Sequence, residues 1–220
     1  MEDPAGDAVP RVRAERIEIR RSREAILAAA EAHWAGTSSD PAMSELAQLA
    51  GVGNATLWRR FASIDDVVRA LSARHVELLD EVATATLAQP TGWDAIVTMV
   101  TGVATLIEAH PALPRIARRM VELDPARRPG AQWEDGIARI VQRAHEEGSL
   151  RLDAEANDVL LAAFRVGDYG YLPAEARPRV IARQVAIVLD GLRADGVRRE
   201  LPGEVITSAE LQRYFHQPLD

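Results

Sequence analysis

Cysteine is absent from the 220 residues. That excludes disulfides and every metal site built on thiolates. Lysine is absent as well, since all 26 basic residues are arginine. A chain without an ammonium side chain has no P-loop lysine, no Schiff-base lysine and no Ser-x-x-Lys nucleophile pair. Uninterrupted apolar runs near the ~18 residues of a membrane span are not evident. The first ten residues are polar and acidic, unlike the apolar segment of a signal peptide. These absences predict a cytoplasmic protein with no membrane partner.

Charge of one sign is also unevenly spread. The net charge is −7, but residues 11–75 carry 10 arginines against 8 acidic residues. Residues 76–220 carry 16 arginines against 22 acidic residues. A mildly basic N-terminal region therefore precedes an acidic remainder, and phosphate binding depends on local charge rather than the total. The segment Arg11–Arg23 alone holds six arginines and two glutamates. It reads equally well as a solvated helical face or as a phosphate-binding arm.

What is present is apolar residues at helical spacing. Hydrophobic content of 47% supports a real core, and no strand alternation competes with the 3.6-residue period. The chain therefore reads as all-α. Residues 1–10 read as a flexible tail. A first helix is predicted over about Arg16–Ala35. A second runs over Pro41–Ala50, with Asp40 as its N-cap and Pro41 at its first position. A third covers Asn54–Phe61. Ser63 with Asp66 is a capping pattern for a fourth, which carries an apolar stripe from Ile64 to Val82. Five more helices are expected near Gly92–Ala109, up to Leu123, Gln132–Glu147, Ala154–Asp168 and Ala174–Ala194. Thr207 and Glu210 cap a last turn. The boundary between the two regions falls within the fourth helix, without a flexible linker.

Residues 42–61 carry the informative spacing. Ala47 stands four before Gly51, and Leu57 stands six after it. A small residue at Ala47 admits a crossing helix, and Gly51 supplies the tight turn. Val52 and Leu57 anchor the following helix from beneath, so its other face projects outward as a helix-turn-helix requires.

The run Leu46-Ala47-x-x-Ala50-Gly51-Val52-Gly53-Asn54-Ala55-Thr56-Leu57-Trp58-Arg59-Arg60-Phe61, with Ser63 to Val67 after it, resembles the DNA-binding signature of TetR-type (tetracycline-repressor-type) regulators. Arg23 to Ala30 is similar to that family's first helix. The close likeness covers about residues 20–75; beyond it only helix pattern and length agree. The resemblance implies a three-helix DNA-binding domain over 11–62 and a helical ligand-binding and dimerisation domain over 63–220. It also implies a homodimer on double-stranded DNA with a palindromic operator, repression, and release by a small ligand. DNA contacts are expected from Arg20, Arg21, Arg23, Ser44, Asn54, Ala55, Thr56, Trp58, Arg59 and Arg60. Trp58 stands where the family usually has tyrosine, Ile64 where it commonly has a basic residue, and Ala42 where it has a hydroxyl.

The C-terminal region yields two further expectations. Met99, Met120, Trp133, Ile137 and Phe164 lie on or beside core stripes, and together suit a cavity for an apolar or aromatic effector. Arg118 or Asp168 is a candidate for orienting a polar end. Ile181, Val185, Val188 and Leu192, with Leu160 and Phe164, are spaced for a symmetric four-helix dimer contact. An enzyme is not expected. No histidine has an acidic residue three before it, so a carboxylate-bridged metal pair fails, and Gly-x-Ser-x-Gly is missing. No cofactor is implied. His75 is expected as a packed histidine, and His110 as a helix-end cation.

Overall fold

The computed structural model describes residues 8–37, 39–126 and 130–195, with 201, 204, 207, 209, 210 and 213. Nine α-helices follow one another among them: α1 Ala8–Gly36, α2 Met43–Leu49, α3 Asn54–Arg60, α4 Ile64–Leu87, α5 Gly92–Ala109, α6 Leu113–Leu123, α7 Glu134–Glu146, α8 Ala156–Arg165 and α9 Arg177–Leu192. A single 3-10 turn, Ala131–Trp133, leads into α7. No strand forms among the described residues; one isolated bridge joins Leu150 and Arg193. The chain divides into two compact units, 1–71 and 72–220, and the division falls inside α4.

Several predicted ends differ. Residues 8–10, expected in a flexible tail, are the start of α1, while residues 1–7 lie outside the described set. Asp40 does not cap α2. Its carboxylate accepts the Trp34 indole N–H at 3.2 Å, which ties the loop back to α1. The helix begins at Met43 instead, where Glu45 reaches back to accept the Ala42 N–H. Ser63 does cap α4, its hydroxyl accepting the Asp66 N–H at 3.2 Å. Thr207 and Glu210 bond each other reciprocally through backbone and side chain, as a capping box does.

In the N-terminal unit, α1 packs on α2 and α3 through Ile26, Leu27, Ala30, Trp34, Leu46, Ala47, Leu57 and Phe61, all buried. Leu57 is fully enclosed, so truncation to alanine would cost about 2–5 kcal/mol.

In the C-terminal unit, α5 is the central helix, flanked by α7, α8 and α9. It is long and apolar enough to cross a membrane by length and composition, which the sequence reading overlooked. Its apolar side chains are spent internally: Ala95, Ile96, Met99, Val100, Val103, Ala104 and Ile107 are buried against neighbouring helices. Two glycines permit close approach. A Cβ on Gly92 would lie 2.3 Å from the Ala144 nitrogen, and one on Gly167 would lie 2.9 Å from the Ala104 Cα. The Gly92 N–H also donates to both carboxylate oxygens of Glu147 at 2.9 Å. Arg143 donates to the carbonyls of Gln89 and Thr91. The end of α7 thereby holds the start of α5.

The expected dimer stripe is partly covered within one chain. Ile181 and Leu192 are buried in this chain's own core, and Val185, Val188, Leu160 and Phe164 pack half-buried against the same cluster. A stripe at steps of three and four marks whichever face is buried, and part of this one is covered by α5. On the adjoining face of α9, Ile187 and Gly191 are exposed, while Val180 and Gln184 are half-buried like Val185 and Val188. Ile187 is 58% exposed, and the Cα of Gly191 faces open space.

Candidate nucleic-acid interface and ligand cavity

The turn between α2 and α3 is built by its hydrogen bonds. Gly51 takes φ +64°, a conformation that costs a residue with a Cβ. Its N–H donates to the Gln48 carbonyl at 3.1 Å, and the Val52 N–H donates to the Ala47 carbonyl at 3.0 Å. This paired closure satisfies the last carbonyls of α2 and reverses the chain within two residues. Gly53, in extended conformation, then accepts from the N–H groups of Thr56 and Leu57 and opens α3.

With Leu57 directed into the core, α3 turns Asn54, Ala55, Trp58 and Arg59 to solvent, while Thr56 and Arg60 are half-buried. Trp58 is 54% exposed. An indole that open gains little from packing and leaves its ring and N–H available to a partner. The Arg59 guanidinium donates to the Thr56 hydroxyl at 3.2 Å, one turn back. Arg60 donates through Nε to the Ser22 hydroxyl at 3.2 Å, and Ser22 in turn donates to the Ile19 carbonyl. Arg60 thus braces α3 against α1. Arg23 is also engaged within the fold, its guanidinium lying 4.8 Å above the Phe61 ring. Arg20 and Arg21 are exposed on α1, and Ser44 is exposed at the start of α2. Ile64, at the site of a common basic residue in TetR-type proteins, is half-buried.

The C-terminal unit contains a cavity of about 250 Å³. Its wall takes Leu79, Val82, Ala83, Thr86 and Leu87 from α4, and Met99 and Val103 from α5. Gln132 and Trp133 come from the 3-10 turn, Ile137 and Ile140 from α7, and Leu160 and Phe164 from α8. Four expected residues, Met99, Trp133, Ile137 and Phe164, therefore meet here. Met120 does not; it is buried on α6 away from this wall. Neither Arg118 nor Asp168 reaches it, both being exposed elsewhere. The Trp133 indole N–H donates to Asp80 Oδ1 at 2.8 Å, which fixes the ring between the turn and α4. Sequence reasoning missed the α4 contribution, because its stripe reads as ordinary core. His75 is buried as expected, its ring 5.7 Å from that of His110, and His110 caps the end of α5.

The sequence matches no family model and no curated protein. Solved structures do match. A gamma-butyrolactone receptor described as ArpA-like superposes with a TM-score of 0.60 at 20% identity, over 80% of this chain and 90% of its own. CprB, a TetR family protein from S. coelicolor A3(2), gives 0.58 at 18% identity over 92% of this chain and all of its own. A TetR transcriptional regulator from Streptomyces coelicolor gives 0.51 at 23% identity, over 78% and 98%. The chain has the TetR-type fold: an N-terminal helix-turn-helix followed by a larger helical part.

Proposed function

We propose that this protein is a sequence-specific DNA-binding transcription regulator, not an enzyme, that acts as a homodimer on a palindromic operator in the cytoplasm. The observation that carries the reading is the outward face of α3. It presents Asn54, Ala55, Thr56, Trp58 and Arg59 on a short helix whose opposite side is anchored by Leu57, and whose end is braced by Arg60. A helix so presented fits a major groove, where its side chains reach base edges. Arg20, Arg21 and Ser44 are exposed and suited to phosphate, which positions the protein without reading sequence. Repression with release by an effector is the mode we propose, and the largely apolar cavity of the C-terminal unit supports the effector's part in it.

Two copies join through the face of α9 that exposes Ile187 and Gly191, with half-buried Val180 and Gln184 beside them. A two-fold contact of this kind would be mirrored in the two-fold symmetry of the operator. Occupancy of the cavity acts by favouring one spacing of the two α3 helices over another, and α4 contributes to the wall. That helix contains no glycine or proline from Ile64 to Leu87, so a shift at its cavity end is carried along it rather than absorbed. Tenfold weaker DNA binding needs a coupling of about 1.4 kcal/mol.

The test is selection of bound sequences from a random duplex pool, followed by anisotropy titration of the selected site. A palindrome bound tightly and in preference to scrambled DNA supports the reading. A pool that never converges would sink it.

A further inference from the structure

We infer that the cavity of the C-terminal unit takes an uncharged ring-bearing molecule with one hydrogen-bonding oxygen, and that Thr86 meets that oxygen. This deepens the effector reading, and rests on it only for what occupancy does to DNA.

Thr86 lines the wall at the α4 side and is 2% exposed. Its enclosed hydroxyl has no hydrogen-bond partner among the described residues. Buried polar atoms in folded proteins are nearly always paired, so an orphan hydroxyl on a cavity wall is a position awaiting a partner. A helical threonine has two open χ1 rotamers, so the hydroxyl can turn to an occupant without moving backbone. The other polar groups of the wall are committed or peripheral. The Trp133 N–H is already given to Asp80. Gln132, Asp135 and Arg139 are exposed at the rim. The rest of the buried lining is Met99, Val103, Gly136, Ile137 and Ile140, none of which would pair a charge. An ionised occupant would forfeit its hydration there without compensation. A volume of about 250 Å³ lies below the ~300–1,000 Å³ of drug-sized pockets, which restricts the occupant to one or two rings.

The experiment is equilibrium dialysis of the full chain against three probes of one shape: 2-acetylnaphthalene, 2-ethylnaphthalene and 2-naphthoate. Wild type, Thr86→Val and Thr86→Ser are compared, with circular dichroism to verify that each is folded. Wild type should hold the ketone about tenfold more tightly than the hydrocarbon, and the carboxylate least. The nearly isosteric Thr86→Val should erase the ketone's advantage, and Thr86→Ser should keep it. An advantage that survives in Thr86→Val, a preference for 2-naphthoate, or no binding of any probe to wild type would overturn the proposal. Operator release is measured separately by anisotropy. A ketone that binds through Thr86 yet leaves the DNA complex intact supports this site and overturns the effector role alone.

Discussion

Arg59 and Arg60 are neighbours in sequence and do different work. Arg59 is exposed, and among the described residues its bond is to Thr56 on its own helix, so it can turn toward a base edge. Arg59→Ala is expected to weaken binding to a selected operator by ~1–3 kcal/mol and to relax preference at one position. A uniform loss across sequences, with a shallower salt slope, would assign it to phosphate instead. Arg60 acts through Ser22. Arg60→Ala and Ser22→Ala should therefore cost binding to similar degrees, and the double variant should lose less than the sum. Strict additivity in anisotropy titrations would dissolve that link. The sequence marks both arginines as recognition-helix residues. It cannot say that one is a brace, because Ser22 lies 38 positions away.

Among the elements, α5 shows how a single atom sets a packing distance. Gly92 sits against the backbone of Ala144, where a Cβ would be 2.3 Å from nitrogen. Gly92→Ala must push α7 away or tilt α5, an overpacking that costs about 1–3 kcal/mol. For a chain of this length that lowers the melting temperature by about 2–4 °C per kcal/mol; an unchanged calorimetric transition would contradict the contact. The loop after α7 has an electrostatic counterpart. Arg151 donates to both oxygens of Asp153 and to the Gly191 carbonyl, and the Leu201 N–H donates to Asp153. These bonds, the Arg151 pair foremost and the Leu201 N–H next, hold the Asp153 carboxyl well below the usual carboxylate range. A depressed folded pKa means the folded state binds the proton less readily than the unfolded one. The stabilisation is thus complete above about pH 4, the ordinary aspartate value, and is lost progressively as pH falls below it. Asp153→Asn should flatten the acid limb of a stability–pH curve while changing its shape little near neutrality. A parallel displacement at every pH would show that the carboxylate's charge is not the cause.

Helix existence was legible in the sequence because period and punctuation agree, as at Ser63 before α4 and Gly51 after α2. Ends were less so. Asp40 has the chemistry of a cap, but Trp34 claims it across six residues, a tertiary contact that no local pattern contains. The cavity was half legible. Met99, Trp133 and Phe164 have the bulk that lining needs, yet Met120 has it too and lies elsewhere. Thr86 carries no signal at all until its burial is known.

For the molecule as a whole, the proposed operator recognition rests on the proposed assembly, and Ile187 is the residue at which to test it. A charge at Val185 would enter this chain's own core, confounding dissociation with unfolding. Ile187 is open, so Ile187→Asp tests the contact alone. Two carboxylates facing across a two-fold axis in a dry contact are strongly unfavourable. The expected result is a folded monomer by sedimentation velocity that no longer binds the palindrome. A dimer that persists, with operator affinity intact, would move the interface off this face.

The two glycine notches beside α5 have a consequence for how such a molecule diversifies. Contacts of Gly92 with Ala144 and of Gly167 with Ala104 are made by backbone, so neither can be adjusted by trimming a neighbouring side chain. The position of α5 beside the cavity is thereby fixed. The side chains that line the cavity, Val82, Ala83 and Leu160 together with Met99 and Val103 of α5, are the adjustable part. Descendants that come to sense different molecules should accumulate their changes at those positions and leave both glycines in place. A saturation library scored for folding and for probe preference would reveal the same division within one experiment: intolerance at the notches, and altered taste at the movable walls.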